Sequence, residues 1–431
     1  MKKILTVIFI SLLFSSNAFA QTILQALKEA YNGNVELNAE RKNLIVSEQD
    51  LKIVRSEYLP SATITTSKSK EDTNKLTNQS GGDASINDVD PLSTSIKLEQ
   101  TLIDFGRGAD YQKKKVGIDL ARVKLLKKEQ DILYKAIEAY SGLVAAKEKE
   151  EINRKNVELK ISQLETDRIR LERAEVKLSD VAQSESSLAG AEAQYIQSQN
   201  EVVISKLNYE NVIGNVNESN LQKSIQAIVN VPTSLESAIE LSKKNNQDVK
   251  IAELELEQAE KDITIAKSDL APTASLSLER SYTEDLSTTY DEREKDVLKA
   301  TVSWPFYSGG KKYATIDKNQ SIKVRQRLIL DNTIKNNLTG VTSAWVNLQS
   351  SESFLISVRA QVKAAEIANE GITAEYQSGA GSRSTLDVIQ SNTLLLNAQI
   401  SLANSERNYL LAQYNLLKSV GLLTSSYLNL K

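Results

Sequence analysis

The chain has 431 residues, of which 40% are hydrophobic and only 5% aromatic, and its 53 basic and 56 acidic residues leave a net charge of -3. This near balance argues against nucleic acid as a partner. The sequence contains no histidine and no cysteine, which excludes Ser-His-Asp, Cys-His and HExxH chemistry and the usual zinc ligands. We therefore expect a protein that is not an enzyme and that holds no metal or other cofactor.

The N-terminal segment has the three parts of a secretory signal peptide. Two lysines follow Met1, an apolar run of about eleven residues ends at Phe14, and a small-residue cleavage motif ends at Ala20. Because the apolar run is too short to span a membrane, we predict a signal peptide over residues 1–20 that is removed before Gln21. The alternative is an uncleaved anchor. No later stretch has about 20 apolar residues, so we predict no transmembrane helix in the rest of the chain.

The sequence contains an internal repeat with a period of a little over 200 residues. The stretch "AERKNLIVSEQDLKIVRSEYLPSATI" is echoed by "AELELEQAEKDITIAKSDLAPTASL", "AIEAYSGL" by "VTSAWVNL", and "LSDVAQSES" by "TLDVIQSNT". Such self-similarity is typical of a repeated structural unit. We predict two structural repeats, residues 21–231 and 232–431.

Prolines and periodicity divide each repeat into four elements. Residues 92–231 and 306–431 contain no proline, so long uninterrupted helices are permitted there. In each repeat we predict a helix, a β-hairpin, a long helix and a returning helix. Their predicted bounds are 22–58, 60–104, about 106–170 and about 178–213 in the first repeat, and 234–270, 272–306, about 310–375 and about 384–420 in the second.

Both hairpins alternate apolar and polar residues with a period of two, which indicates strands. Each strand has about ten residues, the length of a transmembrane β-strand. We expect one face to contact lipid, through Leu92, Ile96, Leu98, Leu276, Leu278, Leu298, Val302 and Trp304. Residues 69–90 and the mostly acidic 282–295 are predicted loops. After the hairpins, Gly106, Gly309 and Gly310 are expected to let the chain swivel from strand to helix.

The helices and strands together require an oligomer. Residues 184–210 and their repeat alternate large and small residues at steps of three and four, which is typical of coiled-coil packing. A helix from about 108 to about 170 would be ~95 Å long, which suits a structure that crosses a periplasm. Four strands cannot close a membrane barrel, since barrels have at least eight and an open edge in lipid is costly. We therefore expect several protomers to share one barrel.

The doubled layout, "TLIDFGRG" and "PFYSGGKK" after the hairpins, and "GSRSTLDV" with "AQISLANSERNYLLAQYNLLKSVG" near the end resemble the TolC family of outer-membrane efflux and secretion factors over residues 22–422. The resemblance implies a mainly α protein with membrane β-structure. It implies a homotrimer with four strands per protomer in a shared twelve-stranded outer-membrane barrel, continued by a long periplasmic α-helical barrel. It also implies docking onto an inner-membrane ABC or proton-driven transporter through a periplasmic adaptor (membrane fusion) protein, with outer-membrane lipid around the barrel.

The stretch "YQSGAGSRS" interrupts the helical pattern of the second repeat, and its glycines permit a left-handed turn. The resemblance places this turn at the periplasmic entrance, with Arg383 and Asp387 in the gate positions. It implies that Tyr376 is the turn tyrosine and Glu165 its acidic partner. The family's second ring aspartate corresponds to Gln390, which predicts one acidic ring in place of two and weaker cation binding.

Simpler roles remain open for the same residues. Ser384-x-x-Asp387 is a capping-box pattern, so Asp387 caps a helix, lines a gate or does both. Arg383 is equally well explained as a solvated turn charge, Glu165 as plain helix surface and Asp180 as the cap of the other repeat. The first-repeat turn, "RLERAEVKLSD", has no glycine and must be built differently.

The leading functional hypothesis is a passive outer-membrane exit duct for proteins or small molecules, in type I secretion or tripartite efflux. The runner-up is a dedicated drug or metal efflux outer component. A remote alternative is a periplasmic coiled-coil adaptor without a pore, which gives no reason for four amphipathic strands of membrane length.

Overall fold

The computed structural model describes residues 22–71, 89–216, 221–287, 290–378 and 383–430. The predicted signal peptide lies outside the described residues, as do most of the predicted loop 69–90 and the glycines of "YQSGAGSRS". The helices are α1 (Ile23–Gly33), α2 (Val35–Ser56), α3 (Arg107–Glu172), α4 (Leu178–Val212), α5 (Leu235–Asn245), α6 (Gln247–Ser268), α7 (Lys311–Ser378) and α8 (Thr385–Ser419). The strands are β1 (Ser61–Lys68), β2 (Leu92–Ile103), β3 (Thr273–Ser287) and β4 (Tyr290–Ser303).

An asparagine interrupts the first helix of each repeat. Asn34 and Asn246 both have extended backbone, with φ -63° and ψ 125°. The side-chain Oδ1 of Asn34 accepts a hydrogen bond from the backbone N–H of Leu37 at 3.2 Å and so caps α2. The predictions of a single helix over 22–58 and another over 234–270 are therefore wrong at these residues, because one extended asparagine ends the first helix and begins the next.

The two long helices contain no break. α3 has 66 residues and α7 has 68, and neither contains a proline, the residue that most often breaks a helix. Their bounds lie within a few residues of those predicted from the proline-free stretches. Within the described residues, no helix is long and apolar enough to cross a membrane.

The four strands form one antiparallel sheet in the order β1-β2-β3-β4, so the two repeats contribute to a common sheet. Its register places Ala62 opposite Leu98, Leu98 opposite Leu278, and Leu278 opposite Leu298. Directly paired residues lie on the same face of a sheet. These residues therefore form one apolar row across all four strands.

The prediction of a loop over residues 282–295 is wrong. β3 and β4 continue through this acidic stretch, with Tyr282 opposite Glu294 and Glu284 opposite Glu292. Arg280 lies 3.2 Å from Glu294 and 3.9 Å from Asp296, so ionic pairs between the strands offset part of the like-charge repulsion. The hairpin is longer than its apolar part alone predicted.

The chain divides into two compact units. The first contains residues up to 38, 128–246 and 338–431, and the second contains residues 39–127 and 247–337. The largest apolar core lies in the first unit; its fully buried side chains include Leu27, Leu133, Ile137, Tyr140, Leu143, Tyr209, Tyr414 and Leu417. The sheet, α6 and the beginnings of α3 and α7 belong to the second unit.

The connection between the repeats, residues 221–231, is held to the first unit by side chains. The hydroxyl of Tyr140 donates a hydrogen bond to the carbonyl of Gln222 at 2.8 Å, and the N–H of Ile228 donates one to the hydroxyl of Tyr414 at 3.2 Å. Because these bonds satisfy backbone groups that no helix or strand pairs, the connection stays ordered without regular secondary structure.

Candidate functional site

The first candidate turn joins α3 to α4 without a glycine. The N–H of Glu175 donates to the carbonyl of Arg170 at 2.9 Å, and the N–H of Ala174 donates to that of Leu171 at 2.9 Å. This pair of bonds is a Schellman motif, and Ala174 takes its left-handed position with φ 57°. An alanine thus holds a conformation that glycine adopts more easily, and this is how a glycine-free turn is built.

The second turn joins α7 to α8 and begins α8 with a capping box. The N–H of Ser384 donates to Asp387 Oδ2 at 2.8 Å, and the N–H of Asp387 donates to Ser384 Oγ at 3.3 Å. The pKa of Asp387 lies below its ordinary value. The largest cause is the hydrogen bond from the Ser384 N–H, followed by the one from the Ser384 hydroxyl and by the charge of Arg383. In the turn between α3 and α4, Asp180 accepts a hydrogen bond from the N–H of Lys177 at 2.8 Å. This confirms the predicted capping role of Asp180, which is the equivalent of Asp387 in the first repeat.

Arg383 is not an unpaired turn charge. Its Nε donates to Glu375 Oε2 at 2.6 Å, across the turn between α7 and α8. The carboxylate of Glu375 raises the pKa of the Arg383 guanidinium. Both side chains are exposed, so this pair adds little stability, and it remains accessible to other groups.

Tyr376 lies at the centre of a buried hydrogen-bond network. Its hydroxyl donates to Asp167 Oδ1 on α3 at 2.6 Å and lies 3.0 Å from the hydroxyl of Thr385 on α8. Asp167 Oδ2 also accepts the hydroxyl of Ser184 on α4 at 2.5 Å, and Gln163 donates to both carboxylate oxygens at 3.0 Å. Four helices are therefore joined through one carboxylate and one phenol.

Electrostatics favour the neutral form of this phenol. Burial and the hydrogen bond to Asp167 raise the pKa of Tyr376, against smaller opposing effects of Thr385 and Arg170. The guanidinium of Arg170 lies 4.3 Å from the centre of the Tyr376 ring, a cation–π distance, and donates to the carbonyl of Tyr376 at 3.0 Å. The ring, hydroxyl and backbone of one residue are all fixed.

Two of the predicted gate residues are not part of this network. The acidic partner of Tyr376 is Asp167, so the assignment of Glu165 to that role is wrong. Two residues on a helix differ by about 200° in direction, and Glu165 points outward where Asp167 is fully buried. Gln390 is exposed, and no hydrogen bond of its side chain is found in the described part of the chain.

The residues that sequence reasoning missed were signalled by helix phase. Asp167 is three positions after Leu164, and both are buried on one face of α3. Ser184 is three positions after the buried Val181 on α4. An acidic residue in phase with an apolar stripe predicts a buried, partnered carboxylate, whereas Glu165 is out of phase with that stripe.

The apolar face of the sheet is exposed and is bounded by charge. Leu298, Val302 and Trp304 are 63–72% exposed and span roughly 20 Å along β4. The other residues of the predicted lipid face that fall in this band are Leu98, Leu276 and Leu278. Beyond the band, Ile96 shares its row with Arg280 and Asp296, and Leu92 with Glu284 and Glu292. The predicted face thus has an apolar centre and a charged outer end.

Glycine is required between the strands and the helices for two different reasons. Gly309 and Gly310 have φ values of +60° and +80°, a left-handed backbone that favours glycine. At Gly106 the constraint is space, because a Cβ there would lie 2.5 Å from the hydroxyl oxygen of Ser268. Within the described residues, no group of acidic side chains is arranged to hold a metal ion.

A sheet with an exposed apolar band, joined to helices of more than 60 residues whose far ends are tied by one polar network, defines a subunit of an outer-membrane channel. The sequence matches the outer membrane efflux protein family over residues 26–215 and 238–422. The chain belongs to this family, which confirms the predicted fold class, outer-membrane location and resemblance to TolC-type channels.

Individual relatives are distant but cover almost the whole chain. Outer membrane efflux protein BepC of Brucella suis is 24% identical over 96% of this chain and 88% of its own length. Alkaline protease secretion protein AprF of Pseudomonas aeruginosa is 22% identical over 100% and 91%. The crystal structure of the CmeC outer membrane channel of Campylobacter jejuni superposes with a TM-score of 0.80 at 16% identity, over 93% of this chain and 85% of that one.

The family places the protein among outer-membrane channels of efflux and secretion, with a helical tube in the periplasm. Family members are channels and not enzymes, and they are trimers that work with efflux or secretion systems. Three copies of a four-stranded sheet give the predicted twelve strands of the shared barrel. The alternative of an adaptor without a pore is therefore wrong.

Proposed function

We propose that this channel is a passive exit duct whose periplasmic entrance is held closed by the Asp167–Tyr376 network. The observation that carries the proposal is the 2.6 Å hydrogen bond between Tyr376 on α7 and Asp167 on α3. The ends of α3 and α7 and the beginnings of α4 and α8 lie beside this bond, and the two turns between these helices would meet a periplasmic adaptor. The adaptor would link them to an inner-membrane transporter, ABC or proton-driven, that supplies the energy.

The network suits a gate because opening it removes one of the three donors of a buried carboxylate. A buried carboxylate needs partners, and Asp167 has three donors around it. Separating α7 from α3 removes the phenol and leaves Ser184 and Gln163 in place. The carboxylate would then be partly satisfied, so opening costs a moderate free energy that adaptor contacts could supply.

Asp387 contributes the only carboxylate that we assign to a constricting ring. It is half-buried at the beginning of α8, whereas Gln390, one turn later, is exposed and neutral. In a trimer this gives one ring of three carboxylates. Its pairing within the capping box does not remove its charge, so the same residue caps α8 and repels anions or attracts cations at the entrance.

The organisation of the chain follows the same proposal. Residues 1–20 act as a signal peptide that is removed on export, and residues 21–231 and 232–431 are two copies of one unit. The two separate family matches, 26–215 and 238–422, support the repeats. One relative is named for efflux and one for alkaline protease secretion, which supports a general duct for small molecules or secreted proteins over a dedicated drug or metal exporter.

Single-channel conductance in planar bilayers tests the entrance ring. We expect Asp387→Ala to raise the conductance and to reduce its sensitivity to divalent cations. Asp180→Ala, which removes the equivalent cap at the other turn, is the matched control and should leave conductance unchanged. Equal conductance of wild type and Asp387→Ala would leave Asp387 with the capping role alone.

A further inference from the structure

A groove lies at the foot of β1, where the sheet meets the helices. Its lining residues come from the end of α2, the connection to β1 and the beginning of α3: Lys52, Arg55, Ser56, Tyr58, Leu59 and Tyr111. Including its open side, the groove holds about 1160 Å³. Leu59 is two residues from the first residue of β1, so the groove adjoins the periplasmic edge of the membrane.

The charge of the groove is positive and unbalanced. None of its lining residues is acidic, and neither Lys52 nor Arg55 forms an ion pair with any residue that the structure describes. Other cations of the same unit are paired: Lys113 lies 2.6 Å from Asp262, and Lys114 lies 3.5 Å from Asp50. Two exposed cations next to two tyrosines offer several donors to one anionic group.

One wall of the groove is fixed in advance. The guanidinium of Arg107 lies 4.9 Å from the centre of the Tyr58 ring, and Gln100 Nε2 donates to the carbonyl of Tyr58 at 3.3 Å. Arg107 is itself buried and donates to the carbonyl of Thr101 at 3.2 Å. A preorganised aromatic wall lowers the ordering cost of binding.

The neighbouring surface is apolar and aromatic. Leu59 is 66% exposed, and Phe105, Trp304, Phe306 and Tyr307 are exposed at the same end of the sheet. Aromatic residues at this level are typical of the headgroup region of a membrane. A ligand that suits the groove therefore combines an anionic head with an apolar tail.

We propose that this groove binds the phosphate of a phospholipid in the periplasmic leaflet of the outer membrane. Lys52 and Arg55 pair with the phosphate, the hydroxyls of Tyr58 and Tyr111 donate to it, and Leu59 lies against an acyl chain. Such a site anchors the junction of barrel and helices at a fixed depth in the bilayer.

The second repeat lacks this site and supplies an internal control. The equivalents of Lys52, Arg55, Ser56, Tyr58, Leu59 and Tyr111 are Thr264, Lys267, Ser268, Leu270, Ala271 and Thr315. Only one cation and no tyrosine remain. The carbonyl of Leu270 accepts the indole N–H of Trp304 at 3.1 Å, where the equivalent carbonyl of Tyr58 accepts the side chain of Gln100.

Native mass spectrometry of the delipidated trimer, with added dioleoylphosphatidylglycerol, tests the proposal. We expect up to three tightly retained lipids, and about tenfold weaker retention by Lys52→Ala/Arg55→Ala, since two charge-assisted contacts are lost. Lys267→Ala is the matched control and should bind as the wild type does. Tyr58→Phe/Tyr111→Phe keeps both aromatic rings and removes only the hydroxyls. It should weaken lipid retention less than Lys52→Ala/Arg55→Ala does, and it tests the site without disturbing the packing of the rings.

Two outcomes would overturn the proposal. The first is equal lipid retention by the wild type and Lys52→Ala/Arg55→Ala. The second is binding of inorganic phosphate at the groove with no added affinity from the lipid, which would make the site an anion site only.

Discussion

The hydroxyl of Tyr376 donates a hydrogen bond to Asp167 at 2.6 Å, and this bond, together with the one from Arg170 to the carbonyl of Tyr376, joins the second long helix to the first. The two residues are separated by 209 positions in the sequence and come from different repeats. The bond therefore exists only when the two long helices lie side by side at their ends. A contact of this kind reports directly on whether the ends are together or apart.

Tyr376→Phe should shift the channel towards its open state. The substitution keeps the ring under Arg170 and removes only the hydroxyl, so a hydrogen bond to a charged group is lost, a change of about 1.5–3 kcal/mol. We expect a roughly tenfold or larger increase in the open-to-closed ratio, measured as open probability in planar bilayers.

Glu165→Gln is the control for this prediction. Glu165 is one of the exposed residues of α3 and should leave the open probability unchanged. If Glu165→Gln opened the channel and Tyr376→Phe did not, Glu165 would be the acidic gate partner after all.

Alkaline pH should open the same gate. The folded pKa of Tyr376 is raised above its ordinary value of 10 by burial and by Asp167, so closure favours the protonated phenol. The stabilisation of the closed state by this proton is fully present below about pH 10 and is lost as pH rises through the raised pKa of Tyr376. Open probability measured from neutral pH upward should therefore rise above about pH 10.

Other tyrosines and lysines titrate in the same range, so the comparison with Tyr376→Phe isolates this group. The variant should show a higher open probability at neutral pH and a flatter response to alkali. An alkaline response of equal size in the variant would assign the effect to another group.

Arginine at Leu298 should block insertion more than arginine at Ile96. Leu298 lies in the apolar row with Leu278 and Leu98, whereas Ile96 lies beside Arg280. The cost of arginine on a lipid face is about 2–4 kcal/mol at the membrane centre and about 0–1 kcal/mol near an interface. Because the two positions lie in neighbouring rows, we expect both variants to insert less well than the wild type and Leu298→Arg to give the lower yield of membrane-inserted trimer.

A control for this comparison lies on the opposite face of β4. Lys299 is next to Leu298 and points away from the apolar row, so Lys299→Arg should insert normally. Equal yields from Leu298→Arg and the wild type would show that this face does not contact lipid.

Gly421→Ala should destabilise the first unit more than Gly214→Ala. Both glycines have positive φ, +80° and +124°, at equivalent places in the two repeats. A Cβ at Gly421 would lie 2.4 Å from the carbonyl oxygen of Asn245, whereas nothing lies within 4 Å at Gly214. We expect the free energy of unfolding to fall by about 2–4 kcal/mol in Gly421→Ala and by about 1 kcal/mol in Gly214→Ala.

Thermal unfolding followed by far-ultraviolet circular dichroism measures this difference. The melting midpoint should fall most for Gly421→Ala, with the same midpoint order in independent detergents. Equal shifts of both midpoints would mean that backbone strain alone, without the contact to Asn245, explains the cost.

Much of the fold follows from patterns of short range. The period-two stretches predicted the strands around Leu98, Leu278 and Leu298, and the proline-free stretches predicted the long helices. The breaks at Asn34 and Asn246 were missed because no proline marks them, although asparagine favours helix ends over helix interiors. The acidic residues 282–295 hid a continued hairpin, since charge alone does not distinguish a loop from the exposed end of a strand.

The site was less accessible to sequence reasoning, because its partners meet only in three dimensions. The capping box of Ser384 and Asp387 is local and was predictable. The choice of Asp167 over Glu165 depends on which face of α3 is buried, and a two-residue shift reverses that face. The left-handed Ala174 could not be foreseen, because alanine rarely takes that conformation.

The mass of the detergent-extracted particle from the outer-membrane fraction tests whether three copies of the chain share one barrel. A trimeric channel that shares one barrel predicts a particle close to three times the mass of the processed chain, recovered from the membrane and not from the periplasm. A soluble monomer in the periplasmic fraction would contradict the account, because its four strands would then have no barrel to complete.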